Sequence, residues 1–189
     1  MTRSSRHIEP QGALQIARHY VRDLVYGAND GIITTFAVVA GVSGGGLSLR
    51  VVLIIGAANL FADGLSMGVG NYLSVRSHES VLEAQDLPEE EASPARHGMA
   101  TFAAFVLAGV VPLVPYMIPA LQVDRFALSI VLTLVALFGV GASRALIANV
   151  TWWRGGLEML GLGAIVAAAA YASGAAVAGL VGGGLNGWE

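Results

Sequence analysis

Long uncharged runs constrain this chain more than any other feature. Between Arg50 and Arg76 the only charged residue is Asp63, and neither 98–123 nor 126–143 contains one. A bilayer core takes about 20 apolar residues in a helix. It also forces backbone polar groups to be satisfied within the segment, which selects helices or closed barrels. Five runs fit a helix: Leu24 to Val42, Val51 to Val75, Met99 to Ile118, Phe126 to Ile147 and Gly156 to Val181. The chain is 55% hydrophobic and 12% charged over 189 residues, with mean hydropathy +0.68. That is too apolar for a soluble domain of this size. The fold class is therefore predicted to be all-α, an integral membrane protein with five transmembrane helices.

The remaining sequence divides around these spans. Residues 1–23 form a polar segment in which Gln11 to Asp23 reads either as an interfacial amphipathic helix or as a solvated lead-in. This start lacks the apolar core of a secretory signal, so the first span is expected to direct insertion. Residues 24–189 form the membrane domain, with one aqueous connector of note, the acidic stretch 76–98. There the second helix should continue to about Gln85, break at Pro88 and turn at Pro94. Pro112 and Pro115 predict a bend in the third span. Pairs such as Gly27 and Gly31, Gly41 and Gly45, Gly64 and Gly68, and Gly179 and Gly183 predict close helix approach, within one chain or across a dimer.

All ten basic residues are arginines. Eight of them (Arg3, Arg6, Arg18, Arg22, Arg76, Arg96, Arg144 and Arg154) fall on one side of a five-span topology. Only Arg50 and Arg125 fall on the other. The positive-inside bias then puts the N-terminus in the cytoplasm. With no cysteine there is neither a disulfide framework nor a thiolate metal site. No phosphate loop, nucleophile motif or HExxH is present, which argues against an enzyme. The acidic connector argues against nucleic acid.

Within the second span, Asn59, Asp63, Met67 and Asn71 recur every four residues and make one slowly drifting stripe on a helix. An ionisable side chain at membrane depth costs about 2.5–3.5 kcal/mol on insertion scales and normally faces a partner or a pathway. The first span carries Asn29 and Asp30, then Thr34 and Thr35. Neither span contains a Lys or Arg to neutralise Asp30 and Asp63. A cation or an exchangeable proton is the economical partner. Oxygen donors alone suit Mg, Ca or Mn, and the Met67 thioether shifts the preference toward later transition metals. A methionine on a membrane helix more often reads as core packing, and Asn59 and Asn71 also read as interhelical hydrogen-bond glue. In the connector, His78 and His97 with Glu79 and Glu83 read as a loose metal site or as a solvated face. Glu158 pairs with Arg154 or Arg144 on this reading.

The segments DGIITTFAVVAG and ANLFADGLSMGVGNYLS resemble the vacuolar iron transporter family. TFAAFVLAGVVPLVPY and GLEMLGLGAIVAAAAYASG add to the likeness, which covers roughly Arg22 to Val181. The resemblance implies five spans, a cytoplasmic N-terminus and a homodimer with the pore between protomers. It also implies export of Fe2+ or Mn2+ from the cytoplasm with proton exchange, the metal being cargo rather than a tightly bound cofactor. Asp30 and Met67 correspond to the family's first-span aspartate and second-span methionine. Asn59 stands where eukaryotic members carry a glutamate, and Asp63 where they carry a small residue.

Those members also have a cytoplasmic helical domain rich in glutamate and methionine. Here only the short connector stands in its place, with Glu79, Glu83, Glu89 and Glu90 as candidate ligands. This chain is similar to a short, bacterial-type member, which would place it in the bacterial inner membrane. The expected metal residues are Asp30, Asn59, Asp63 and Met67, and the expected partners are the lipid bilayer and a second copy. A non-transporting scaffold that kept the fold remains the competing function.

Overall fold

The computed structural model describes residues 12–119, 121–146 and 151–184. No strand occurs among the described residues. The helices are α1 (Ala13–His19), α2 (Val21–Gly44), α3 (Leu49–Ala84), α4 (Pro94–Gly109), α5 (Val114–Met117), α6 (Arg125–Ser143) and α7 (Trp152–Gly184), with 3-10 turns at Val111–Leu113 and Arg144–Leu146. Five helical stretches are long and apolar enough to cross a membrane, α4 and α5 together forming the third. The protein is an integral membrane protein.

The helix ends follow from local chemistry. At the end of α2, Gly46 adopts φ 68°. Its N–H donates to the Ser43 carbonyl (3.0 Å) and the Leu47 N–H to that of Val42 (3.1 Å). At the end of α3, Asp86 takes the same left-handed conformation at φ 54°. Its N–H bonds the Glu83 carbonyl at 3.1 Å, and the Leu87 N–H bonds that of Leu82 at 2.9 Å. Both ends are Schellman motifs, which satisfy the last carbonyls of a helix. The helix α3 therefore runs beyond its apolar stretch almost to Gln85, as its sequence predicts. The third span breaks at its prolines as expected. The Pro112 carbonyl there accepts the Ser129 hydroxyl of α6 at 2.7 Å. The fourth begins one residue before the expected Phe126, at Arg125, behind Asp124, whose carboxylate caps the N–H groups of Phe126 and Ala127. Ile147, its expected end, lies outside the described residues, as does Trp188 at the chain's end.

The central element is α2, which packs against α3, α4, α6 and α7. Lipid supplies little hydrophobic drive for helix association, so close backbone approach through small residues does the work. A Cβ on Gly31 would collide with the Phe105 carbonyl of α4, and one on Gly44 with the Tyr171 carbonyl of α7. Gly68 of α3 faces Gly98 of α4 in the same way. The pairs Gly27 and Gly31, and Gly64 and Gly68, thus make contacts within the chain, while Gly179 faces open space. Between the helices lie two apolar clusters. One joins Phe36, Val39, Val52, Leu113 and Tyr116, and the other Ile32, Leu137 and Met159.

Candidate functional site

The helices α2 and α3 run antiparallel and in contact. This brings Asp30 of α2 and Asp63 of α3 within electrostatic range of each other. Both side chains are half-buried. They lie inside spans where no Lys or Arg stands between residues 23 and 49 or 51 and 75. Around them, Asn59 and Met67 are also half-buried, each one turn from Asp63. The Asn59 amide nitrogen and the Asn29 side-chain oxygen are buried without a hydrogen-bond partner among the described residues. A half-turn of an amide exchanges its oxygen and nitrogen, so Asn59 can present oxygen to a cation, whereas Asn29 lies with Val25, Arg144 and Met159 on the side of α2 toward α6 and α7. Thr34 turns back to the Asp30 carbonyl at 2.9 Å. Asp30, Asp63, Asn59 and Met67 thus supply two carboxylates, an amide and a thioether, within spans that contain no Lys or Arg.

Toward the N-terminal end of α2 the same interface holds a second polar group. Asp23, 2% exposed, accepts the Asn71 amide at 2.8 Å on Oδ1 and lies 2.6 Å from His97 Nδ1 on Oδ2. Asn71 also donates to Thr101 Oγ1 (2.7 Å) and to the His97 carbonyl (3.2 Å). Asn71 thus acts as interhelical glue joining α2, α3 and α4. The far ring nitrogen of His97 faces Glu91 Oε2 at 3.1 Å, and His19 Nε2 stands 3.2 Å from that same oxygen. The rings of His19, Tyr20 and His97 pack together with centroids 4.7–5.2 Å apart. This network draws on α1, α2, α3, α4 and the connector at once.

The two groups share the α2–α3 interface. Asp23 and Asp30 are seven residues apart, so they share a face of α2 about 10.5 Å apart along its axis. On α3, Asn71 and Asp63 are eight apart. The Asp23–Asn71 contact and the Asp30–Asp63 approach are therefore successive rungs of one antiparallel register.

The connector residues, read from sequence as a loose metal site or a solvated face, divide between two groups. Glu79 accepts the backbone N–H groups of Glu90 and Glu91 at 3.1 and 2.7 Å, folding the connector back along the end of α3. His78 pairs with Glu90 at 3.2 Å. His97 is remote from that pair in its bonding: its partners are Asp23 and Glu91. Glu83 is exposed and Glu89 half-buried. Glu158 reaches Arg144 at 3.5 Å. Sequence reasoning missed Asp23, Glu91 and His19 as members of a site. The one sequence signal available was the seven-residue interval from Asp23 to Asp30.

Comparison with known proteins agrees with this architecture. The family model of the VIT family matches residues 21–90 and 80–175. Vacuolar iron transporter 1 of Arabidopsis thaliana is 28% identical over 212 residues, covering 82% of this chain and 85% of that protein. Vacuolar iron transporter 1 of Eucalyptus grandis is 28% identical over 218 residues, covering 85% and 88%. A vacuolar iron transporter of Toxoplasma gondii is 46% identical over 71 residues, 38% of this chain and 24% of that protein. Two family-model matches that together run from the start of α2 through most of α7 establish that the chain belongs to the VIT family.

Proposed function

We propose that this protein moves a divalent transition metal, Fe2+ or Mn2+, out of the cytoplasm in exchange for protons. The observation that carries this reading is the approach of Asp30 and Asp63 inside two spans without a basic partner. Two such carboxylates repel, and a passing cation or proton relieves the repulsion. Asn59 and Met67 complete the lining, and the relatives named vacuolar iron transporters supply the cargo class. A metal entering the pair displaces protons, and protons entering from the far side release the metal.

The functional unit is a homodimer with the path between copies. One chain offers four donor side chains there, Asp30, Asn59, Asp63 and Met67, against the six ligands of an octahedral divalent ion, and a two-fold partner doubles them. The arginine bias supports a cytoplasmic N-terminus, with the connector on that side and the bacterial inner membrane as location.

A metal-sensitive strain tests this. Cells expressing the wild type should outgrow empty-vector cells under iron or manganese load, and cells expressing Asp63→Asn should not. Equal growth of the three, with equal membrane expression, would leave a scaffold retaining the fold as the better account.

A further inference from the structure

The group at the N-terminal end of α2 has the chemistry of a metal site that the transport path does not require. Asp23 has carboxylate oxygens that accept, so His97 Nδ1 is the donor in their 2.6 Å contact. In this structure Nε2 lies 3.1 Å from Glu91 Oε2, and in the neutral tautomer with the proton on Nδ1 its lone pair is available to a metal ion. His19 Nε2 lies 3.2 Å from the same oxygen. Two imidazole nitrogens and a carboxylate oxygen thus converge on one point, where a metal ion can take the place of the imidazole protons that otherwise pair with Glu91. The spacing suits one: ligand atoms on a common ion with bonds of about 2.1 Å lie about 3.0–3.4 Å apart. All three donor atoms fall within 4.8 Å of one another. Behind them, the 2% exposed Asp23 fixes the tautomer and ring orientation of the equally buried His97. That is the carboxylate–histidine support common to metal centres.

We propose that His19, Glu91 and His97 bind a divalent transition-metal ion at the connector end of the bundle, with Asp23 positioning His97. Two imidazoles and one carboxylate suit Zn2+, Fe2+, Co2+ or Mn2+ over Mg2+ or Ca2+. Three protein ligands leave coordination positions open, so the ion exchanges rather than being sealed in. The donors come from α1, the connector and α4, so binding also ties the N-terminal helix to the bundle. Asp23, which holds His97, lies seven residues from Asp30 on the same face of α2, and the ion lies beyond it toward the connector. Under the transport reading this makes it the loading point of the path. Binding itself does not depend on that reading.

Co2+ titration of the purified full-length protein in detergent, followed by its visible absorption, tests the assignment. Wild type should show a saturable band, as should Glu90→Gln and the Asp30→Asn/Asp63→Asn double variant. His19→Ala and Glu91→Gln, which alter partly exposed side chains, should weaken binding at least about tenfold. Asp23→Asn should shift the band itself, which a purely structural role would not do. The proposal is overturned if the wild type gives no band, if His19→Ala and Glu91→Gln match the wild type, or if the signal is lost in the Asp30/Asp63 variant. Vesicle flux separates the two claims. Absent flux with an intact Co2+ band refutes transport alone, and normal flux without the band refutes this site alone.

Discussion

Replacing Asp23 by alanine should destabilise the protein more than any surface change. The carboxylate is buried at 2% exposure and bonds Asn71 at 2.8 Å and His97 at 2.6 Å. Its removal strands the His97 ring N–H in the packed junction of α2, α3 and α4 and leaves the Asn71 amide only its bonds to Thr101 and the His97 carbonyl. Breaking a buried pair by deleting one partner costs about 3–5 kcal/mol. For a chain of this length each kcal/mol lowers the midpoint by about 2–4 °C, so Asp23→Ala should fall by about 6–20 °C. Asp23→Asn keeps one acceptor oxygen and should lose much less. The assay is thermal unfolding in detergent at fixed scan rate, followed by circular dichroism at the helical minimum. A fall of less than about 2 °C for Asp23→Ala, or equal falls for the two variants, would refute the claim that this network holds the three helices together.

Other predictions follow from packing and hydrogen bonding. Gly31→Ala puts a Cβ against the Phe105 carbonyl; overpacking should cost about 1–3 kcal/mol, read as a lowered unfolding midpoint. Ser129→Ala leaves the Pro112 carbonyl in the kinked third span without its 2.7 Å partner. A loss of about 1–3 kcal/mol is expected, measured the same way. Arg144→Ala removes a 3.5 Å pair whose side chains are 37% and 62% exposed. Its effect should stay below about 1 kcal/mol, so an unfolding midpoint well below wild type would show that Arg144 does more than pair with Glu158.

Much of the fold was legible because membrane depth is written in composition. Five apolar runs, the prolines of the third span and the extension of α3 toward Gln85 each follow from local rules. Asp30 and Asp63 stood out for a related reason, being charges where charge is expensive. The second polar group was harder to read. Asp23 looked like the end of an interfacial helix or a solvated lead-in, because nothing local reveals that α2 begins at Val21 and buries Asp23 in its first turn. His97 was noticed, but its companions were sought among the neighbouring His78, Glu79 and Glu83. Its true partners come from α1, α2 and the far end of the connector, a choice made by helix packing. The connector acids read as ligands or as a solvated face, and local sequence does not reveal that one oxygen of Glu79 accepts two backbone N–H groups in a local fold-back.

The most direct measurement is the initial rate of Fe2+ entry into proteoliposomes carrying the wild type, Asp30→Asn or Asp63→Asn, at equal reconstituted protein. The account predicts saturable entry for wild type and a fall to the rate of protein-free vesicles for each variant. Wild-type rates in both variants would contradict the assignment of the α2–α3 carboxylates as the ion path.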